Sequence, residues 1–253
     1  MLQKLKKHQF LFEELVKRDF KKKYKRTVLG MVWSLLSPLL MLLVMSLVFT
    51  NFFGRRTPHY TIYLFAGNLV FTYFKEATNG GMSSLIANAG IFTKVNVPKY
   101  LFLLSKNVSS LINFLLTLII FFVFVALDGI SFTWKFFLLL YPVGCIVIFN
   151  IGVGFILSAL YVFYRDIQYL YDIFTMLLMY LSAIFYTVDT FQNQNLFYLN
   201  PIYVYITYFR RIVINGVVPD ITVHLLCFLY AFSAIAIGGW CYKKYNYKFL
   251  YYL

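Results

Sequence analysis

Charge is scarce in this chain, and negative charge is scarcer still. Only 13% of the 253 residues are charged, with nine Asp and Glu against 23 Lys and Arg. Soluble domains carry about 25% charged residues. With 61% hydrophobic and 21% aromatic side chains and a mean hydropathy of +0.74, an ordinary water-soluble fold is excluded. Cysteine is equally sparse: Cys145, Cys227 and Cys241 all fall in apolar runs, so free buried thiols are expected and no disulfide framework. His8, His59 and His224 stand far apart with no metal-ligand spacing to Cys or His, and His224 is expected to be a packed, hydrogen-bonded side chain. No glycine is followed at the right spacing by the Lys-Ser/Thr of a phosphate loop, so ATP cannot be bound and split by that chemistry here. No Ser/His/Asp set or paired carboxylates converge, so no catalytic, cofactor-binding or metal-ligating residues are assigned. The chain also lacks a short apolar core with a small-residue cleavage site, which argues against a cleavable signal peptide. Internal repeats and intramembrane ion sites, expected of a secondary transporter, are not evident.

Long apolar runs are what the sequence has instead. Met31–Phe53, Val108–Leu127, Phe136–Tyr164 and Ile221–Tyr242 contain no charged residue, and each reaches the roughly 20 residues needed to cross a bilayer as a helix. Thr61–Phe74 is shorter and must recruit Lys75 and Glu76; Ile173–Val188 is short too and starts nearer Gln168. Six spans result. Basic residues cluster in residues 1–26, after span two (Lys94, Lys99, Lys106), after span four (Arg165) and after span six (Lys243, Lys244, Lys248). The opposite side holds fewer: Arg55, Arg56, Lys135, Arg210 and Arg211. The positive-inside rule then puts both termini in the cytoplasm. It also accounts for the net charge of +14 without nucleic acid as a partner.

Residues 8–26 read as an amphipathic helix in the headgroup layer. Phe12, Val16, Phe20 and Tyr24 recur every four residues beside Lys17, Lys21 and Lys25. A topogenic anchor and a cationic sill for an anionic lipid-linked substrate both fit. Gly80-Gly81 is expected to loosen the end of span two, with a cytoplasmic loop over residues 82–100 in which Ser84–Phe92 forms a short helix stopped by Val97-Pro98. Asp128-Gly129 marks a turn. Residues 189–220 are too apolar for an exposed loop and too short to cross, so two short helices dipping into the outer leaflet are expected, broken by Gly216 and Pro219. The fold class is therefore an all-α membrane protein. It is one domain over 1–253: an interfacial helix in 1–30, spans one to five in 31–188, an outward re-entrant segment in 189–220, and span six with a tail in 221–253.

Short polar signatures punctuate these spans. Arg18, Tyr24, Leu29-Gly30, Trp33 and Pro38 lead into the first. Tyr63-Leu64-Phe65-Ala66-Gly67 opens the second, and Ile91-Phe92-Thr93-Lys94-Val95-Asn96-Val97-Pro98 follows it. Tyr164-Arg165-Asp166-Ile167 joins spans four and five; Phe185-Tyr186, Leu199-Asn200-Pro201, Arg210 and Pro219 come before span six. In this order the chain resembles the permease subunit of ABC-2-type polysaccharide exporters, which carry O-antigen, teichoic acid, capsule or rhamnan. The resemblance covers nearly the whole chain. It departs at Tyr164, where Phe is commoner, and at Lys75-Glu76, a pair not associated with the family.

The resemblance implies a subunit of the bacterial cytoplasmic (inner) membrane, paired with a second copy of itself and with two copies of a separate ABC ATPase. ATP and Mg would sit on that ATPase, with no cofactor in this chain. The implied substrate is a polyprenyl-pyrophosphate-linked glycan, and membrane lipids surround the whole. An ABC-2 permease for a small drug or lipid is the alternative.

A glycan conduit wants aromatic faces and few trapping charges, so Trp33, Phe49, Phe52 and Phe53 of span one and Tyr171, Phe174, Tyr180 and Phe185 near span five are the substrate-channel candidates. Membrane anchoring is the competing role for each ring. Arg18, Lys22, Lys25 and Arg26 are candidates to meet the carrier's pyrophosphate. Ser84, Ile91, Phe92, Lys94, Arg165 and Asp166 are candidates for ATPase coupling; helix capping is the alternative for Asp166. Lys75 and Glu76 either face a wet pore wall or snorkel, and their role stays open.

Overall fold

The computed structural model describes residues 8–24, 29–49, 58–92, 94–95 and 97–252, and among them all regular structure is helical, with no strand. The first helix, α1, spans Gln9–Tyr24. A 3-10 turn at Gly30–Val32 leads into α2, Trp33–Phe49, with Pro38 inside it. Then come α3, Tyr60–Ala87, a single turn α4, Ala89–Phe92, and α5, Tyr100–Leu127. A 3-10 stretch over Trp134–Leu139 runs into α6, Leu140–Phe163. The chain continues through α7, Ile167–Leu181, and α8, Pro201–Val213. It closes with α9, Ile221–Tyr245, and the single turn α10, Phe249–Tyr252.

Among the described residues three helices are long and apolar enough to cross a membrane: Tyr100–Leu127, Trp134–Phe163 and Ile221–Tyr245. The protein is thus a multi-pass membrane protein. Leu115, Ile119, Val123 and Leu127 form an exposed i, i+4 ridge on α5, and Leu225, Leu229 and Phe232 do the same on α9. Such faces are stable only against lipid or another apolar surface. The helix α3 is as long as α5, 28 residues each, but Asn68, Lys75, Glu76 and Asn79 interrupt its apolar character. It is the central helix, buried from Tyr60 to Leu85 on the faces that meet α5, α6 and α8. The closest helix approach is between α6 and α9. A Cβ on Gly152 would lie 2.3 Å from the Ala234 carbonyl carbon, and one on Gly238 would lie 2.2 Å from the Gly152 oxygen. Small residues at a lipid-immersed helix crossing let backbones approach and gain dispersion contact where no hydrophobic effect operates between helices.

Three local expectations are corrected. Gly80-Gly81 does not end span two: α3 runs through both to Ala87, because Gly81 sits where α3 presses against Gly154, whose Cα is 3.1 Å from a Cβ built there. Ser84 is accordingly not in a loop but inside α3, fully buried, its hydroxyl donating to the Gly81 carbonyl at 2.6 Å. Span five ends at Leu181 rather than near Val188, as Ala183 takes a left-handed φ of 50° and turns the chain back onto α3. The segment after Asn200 is packed inside the protein. α8 is buried along nearly its whole length, which gives its many apolar side chains protein partners and keeps the surrounding irregular backbone away from hydrocarbon. Asp128 and Gly129 do form the turn after α5, Gly129 with φ of 79°.

Candidate functional site

Four of the separated signatures meet at one turn, the one after α7, and at its centre is Arg210. It is only 6% exposed, carried on the inner face of α8. Its guanidinium donates to the Tyr63 carbonyl from Nε at 3.2 Å and Nη2 at 3.1 Å, to the Ala183 carbonyl from Nη1 at 2.8 Å, and to the Ile184 carbonyl from Nη2 at 3.1 Å. It also lies over the Tyr63 ring, 3.3 Å from the centroid. The turn after α7 leaves carbonyls with no helical partner, and a planar five-donor cation satisfies several at once where a lysine would offer a single point charge. Gly67 makes the space: a Cβ there would lie 2.8 Å from Nη2.

The neighbouring motifs finish the same turn. The Tyr60 hydroxyl donates to the Phe185 carbonyl at 2.7 Å and the Tyr63 hydroxyl to the Tyr186 carbonyl at 2.6 Å. Asn200 caps α8 by accepting from the Ile202 amide at 3.0 Å, with Pro201 at the first helical position. Its amide nitrogen reaches Ser182 at 2.9 Å. These signatures therefore specify how the broken backbone after α7 is held.

Below this hub a groove of about 850 Å³ opens between α2, α3 and α5, with Met179 of α7 at its rim. Asn68, Thr72, Lys75, Glu76 and Asn79 face it from α3, a polar stripe at helical spacing. Trp33, Ser34 and Ser37 face it from α2, and Ser110, Asn113 and Thr117 from α5. Amides and hydroxyls along three helices give the wall groups that accept and donate hydrogen bonds among apolar neighbours such as Pro38, Met41, Leu69 and Phe71, with fixed charge at Lys75 and Glu76. Lys75 is exposed to the groove and Glu76 half-buried. This wall was missed as a site in the sequence, although the i, i+4, i+7, i+11 run of polar residues on α3 and the i, i+3, i+7 run on α5 were its signal.

At the other end of the bundle, α1 is tied down by a buried carboxylate. The Asp19 side chain is 2% exposed and pairs with Arg18 at 2.8 Å and with Lys106 of α5 at 3.1 Å. Arg18 reaches on to the Asn88 oxygen at 2.8 Å, and Asn88 donates to the Ser84 carbonyl at 2.7 Å. The packed seam of α1 is Leu11, Leu15 and Asp19 against Val97 and Phe102, one step round from the Phe12–Val16–Phe20 stripe. A charged pair one residue apart hid that seam in the sequence. Lys99, at the start of α5, donates to the Asn246 carbonyl at 2.7 Å and faces the Phe249 ring; burial lowers its ammonium from the ordinary value.

The candidate channel rings divide. Trp33, Phe174 and Tyr180 are exposed at 36%, 50% and 52%. Phe49 and Phe185 stack on each other at 4.6 Å, Phe185 being buried, and Tyr171 is buried with its hydroxyl donating to Thr78 at 2.6 Å. Phe52 and Phe53 lie outside the described residues, as do Lys25, Arg26 and the side chains of Lys22 and Phe92. Ile91 packs beside Leu15 and Val97, while Lys94 is exposed in the following turn. Arg165 and Asp166 are exposed, and Asp166 stands at the N-cap of α7 without a side-chain capping bond. The structure thus brings α1, Asn88 and the α4 turn together and sets Arg165-Asp166 in the α6–α7 connection. His224 is hydrogen-bonded as expected, to Tyr208 at 2.8 Å. No cluster of His, Cys, Asp and Glu able to hold a metal occurs among the described residues, and the cysteines are free.

Known proteins share this arrangement of sequence. The chain is 29% identical over 247 residues to a Klebsiella pneumoniae protein named O-antigen export system permease protein RfbA, covering 95% of each. It is 28% identical over 226 residues to a Myxococcus xanthus protein of the same name, covering 87% of this chain and 86% of that one. Residues 11–214, which contain the Arg210 hub, the groove and the tied α1, match the ABC-2 type transporter model, and this chain belongs to the ABC-2 type transporter family.

Proposed function

We propose that this chain is the permease subunit of an ATP-driven exporter of lipid-linked polysaccharide, an O-antigen or similar cell-surface glycan. The observation that carries the reading is end-to-end similarity: two relatives named as O-antigen export permeases align over nearly the full length of both chains. The hydroxyl- and amide-lined groove at membrane depth supports a polar, hydrogen-bonding cargo over a lipid or an apolar drug.

In this reading the chain forms one six-span domain over 1–253 in the bacterial inner membrane, both termini cytoplasmic. The shorter α2 and α7 serve as spans one and five. Two copies meet along them, a pairing supported by the wide faces both leave open: of α7 only Tyr171 and Thr175 are buried, and of α2 only Ser34, Leu42 and Met45. The exposed Trp33, Phe174 and Tyr180 face the glycan, while Phe49, Phe185 and Tyr171 hold the wall behind them. Arg18, Lys22, Lys25 and Arg26 receive the pyrophosphate of the carrier lipid. A separate ABC ATPase binds ATP and Mg and bears on the Asn88–Lys94 turn and on Arg165-Asp166. The tie from Asn88 through Arg18 and Asp19 to Lys106 then moves α1 with the coupling turn.

The test is co-purification with the ATPase encoded beside this chain, followed by ATPase activity in nanodiscs with and without polyprenyl-pyrophosphate-linked glycan. A two-plus-two complex stimulated by the glycan is expected. A stable complex indifferent to glycan but stimulated by small drugs or lipids would move the reading to a small-molecule permease; absence of any ATPase partner would end it.

A further inference from the structure

The groove between α2, α3 and α5 contains a charge that the export reading leaves unused. Lys75 lies near the middle of α3, about 22 Å along it from Tyr60 at 1.5 Å per residue, in a helix that the export reading takes as the second crossing of a hydrocarbon layer about 30 Å thick. Glu76 follows it directly, but adjacent helical residues point about 100° apart and do not face each other. No carboxylate lies within ion-pair distance of the Lys75 ammonium among the described residues. An ammonium at this depth is costly, and such residues occur where they meet a charge, a cavity or a substrate.

What surrounds it narrows the ligand. Asn68, Thr72 and Asn79 stand on the same stripe, with Thr117 across the groove, so both donors and acceptors are offered to a polyhydroxylated molecule. Trp33, partly exposed on the groove wall, adds an apolar face, backed by the buried pair Tyr73 and Phe114. A sugar ring has hydroxyl edges and an apolar face and uses both. A lipid tail would strand the amides, and a small inorganic anion has no use for the aromatic faces. A wholly neutral sugar would leave the ammonium desolvated without a counter-charge. The volume, about 850 Å³, falls within the roughly 300–1,000 Å³ of small-molecule sites.

Building on the export reading, we propose that this groove is a sugar-binding station on the glycan's path and that Lys75 selects a unit bearing an anionic substituent, a carboxylate or a phosphodiester. The cargo is then an acidic glycan, and its charged units pause at Lys75 as the chain passes.

The test uses the full chain in complex with its ATPase in nanodiscs, with binding read by isothermal titration calorimetry. The complex is titrated with maltotriose, trigalacturonate and farnesyl pyrophosphate. Trigalacturonate should saturate at a concentration about tenfold lower than maltotriose, the size expected of one charge-assisted hydrogen bond. Lys75→Gln should abolish that preference without weakening maltotriose, and Lys75→Arg should keep it. Equal affinity for the two trisaccharides, or a preference that survives Lys75→Gln, overturns the proposal while leaving export standing. If farnesyl pyrophosphate alone acts through Lys75, the anion belongs to the carrier lipid and the glycan assignment is wrong. Binding of none of the three removes the sugar station and counts against the export reading itself.

Discussion

Replacing Arg210 by methionine removes the clamp on the turn after α7 while keeping most of the side chain's volume. The magnitude follows from which carbonyls lose their partners. Tyr63 lies inside α3, so its carbonyl retains its helical bond. The Ala183 carbonyl keeps a long contact with the Tyr63 hydroxyl at 3.3 Å. The Ile184 carbonyl depends on Arg210 Nη2. One fully orphaned carbonyl at about 1–3 kcal/mol and one half-satisfied carbonyl give a loss of about 2–4 kcal/mol. For a domain of this size that corresponds to a fall in Tm of roughly 4–16 °C. Gly67→Ala should reproduce the defect, because its Cβ would lie 2.8 Å from Nη2 and 3.2 Å from the Ile184 side chain. The double variant should be little worse than either single one, since both act on one contact. The assay is thermal unfolding in nanodiscs, with cysteine-labelling rates at Leu196→Cys reporting the loosened outer segment. Arg210→Lys should recover little, for a lysine cannot fork across three carbonyls. A Tm for Arg210→Met within 2 °C of the parent, or additive effects of the two changes, would refute the clamp; about 2 °C is less than the shift that one lost carbonyl partner should cause.

Other consequences are checked separately. Tyr171→Phe removes the hydroxyl bonded to Thr78 and should cost about 1 kcal/mol, seen as a small drop in Tm. Tyr180→Ala, at an exposed ring, should leave Tm unchanged and reduce surface glycan; unchanged export at equal expression argues against a channel role. Asp19→Asn breaks the buried pairs to Arg18 and Lys106, so α1 should become sensitive to limited protease while α5 and α6 stay protected. Gly238→Ala forces a methyl against the Gly152 backbone; a loss of about 1–3 kcal/mol is expected, and a stable variant would mean that α6 and α9 can separate freely.

How much was legible beforehand depends on the physics behind each feature. Long apolar runs are a local property, so α6 and α9 were readable to within a few residues, as were the end of α5 and the turn at Asp128-Gly129, whereas α5 starts at Tyr100, well before the uncharged run that opens at Val108. Both glycines of Gly80-Gly81 read as a breaker because propensity is local, whereas Gly81 is there for contact with Gly154 on another helix. Span five was drawn too long because its apolar composition continues past Leu181, and nothing in sequence announces the left-handed turn at Ala183. Among the site candidates, exposure separated rings that hydropathy cannot: Tyr180 is open while Phe185, five residues on, is buried.

The sequence by itself determined the class of molecule, its order of apolar spans, its bias of positive charge and the signatures by which the family resemblance was seen, because composition and periodicity need no partners. Tertiary structure alone decided what those signatures do. Arg210, Gly67, Ala183 and Asn200 are distant along the chain, and only folding places a guanidinium against carbonyls stranded by a broken helix. The polar groove is likewise a product of three helices: each contributes a modest stripe of amides and hydroxyls, and a binding wall exists only when the stripes face one another.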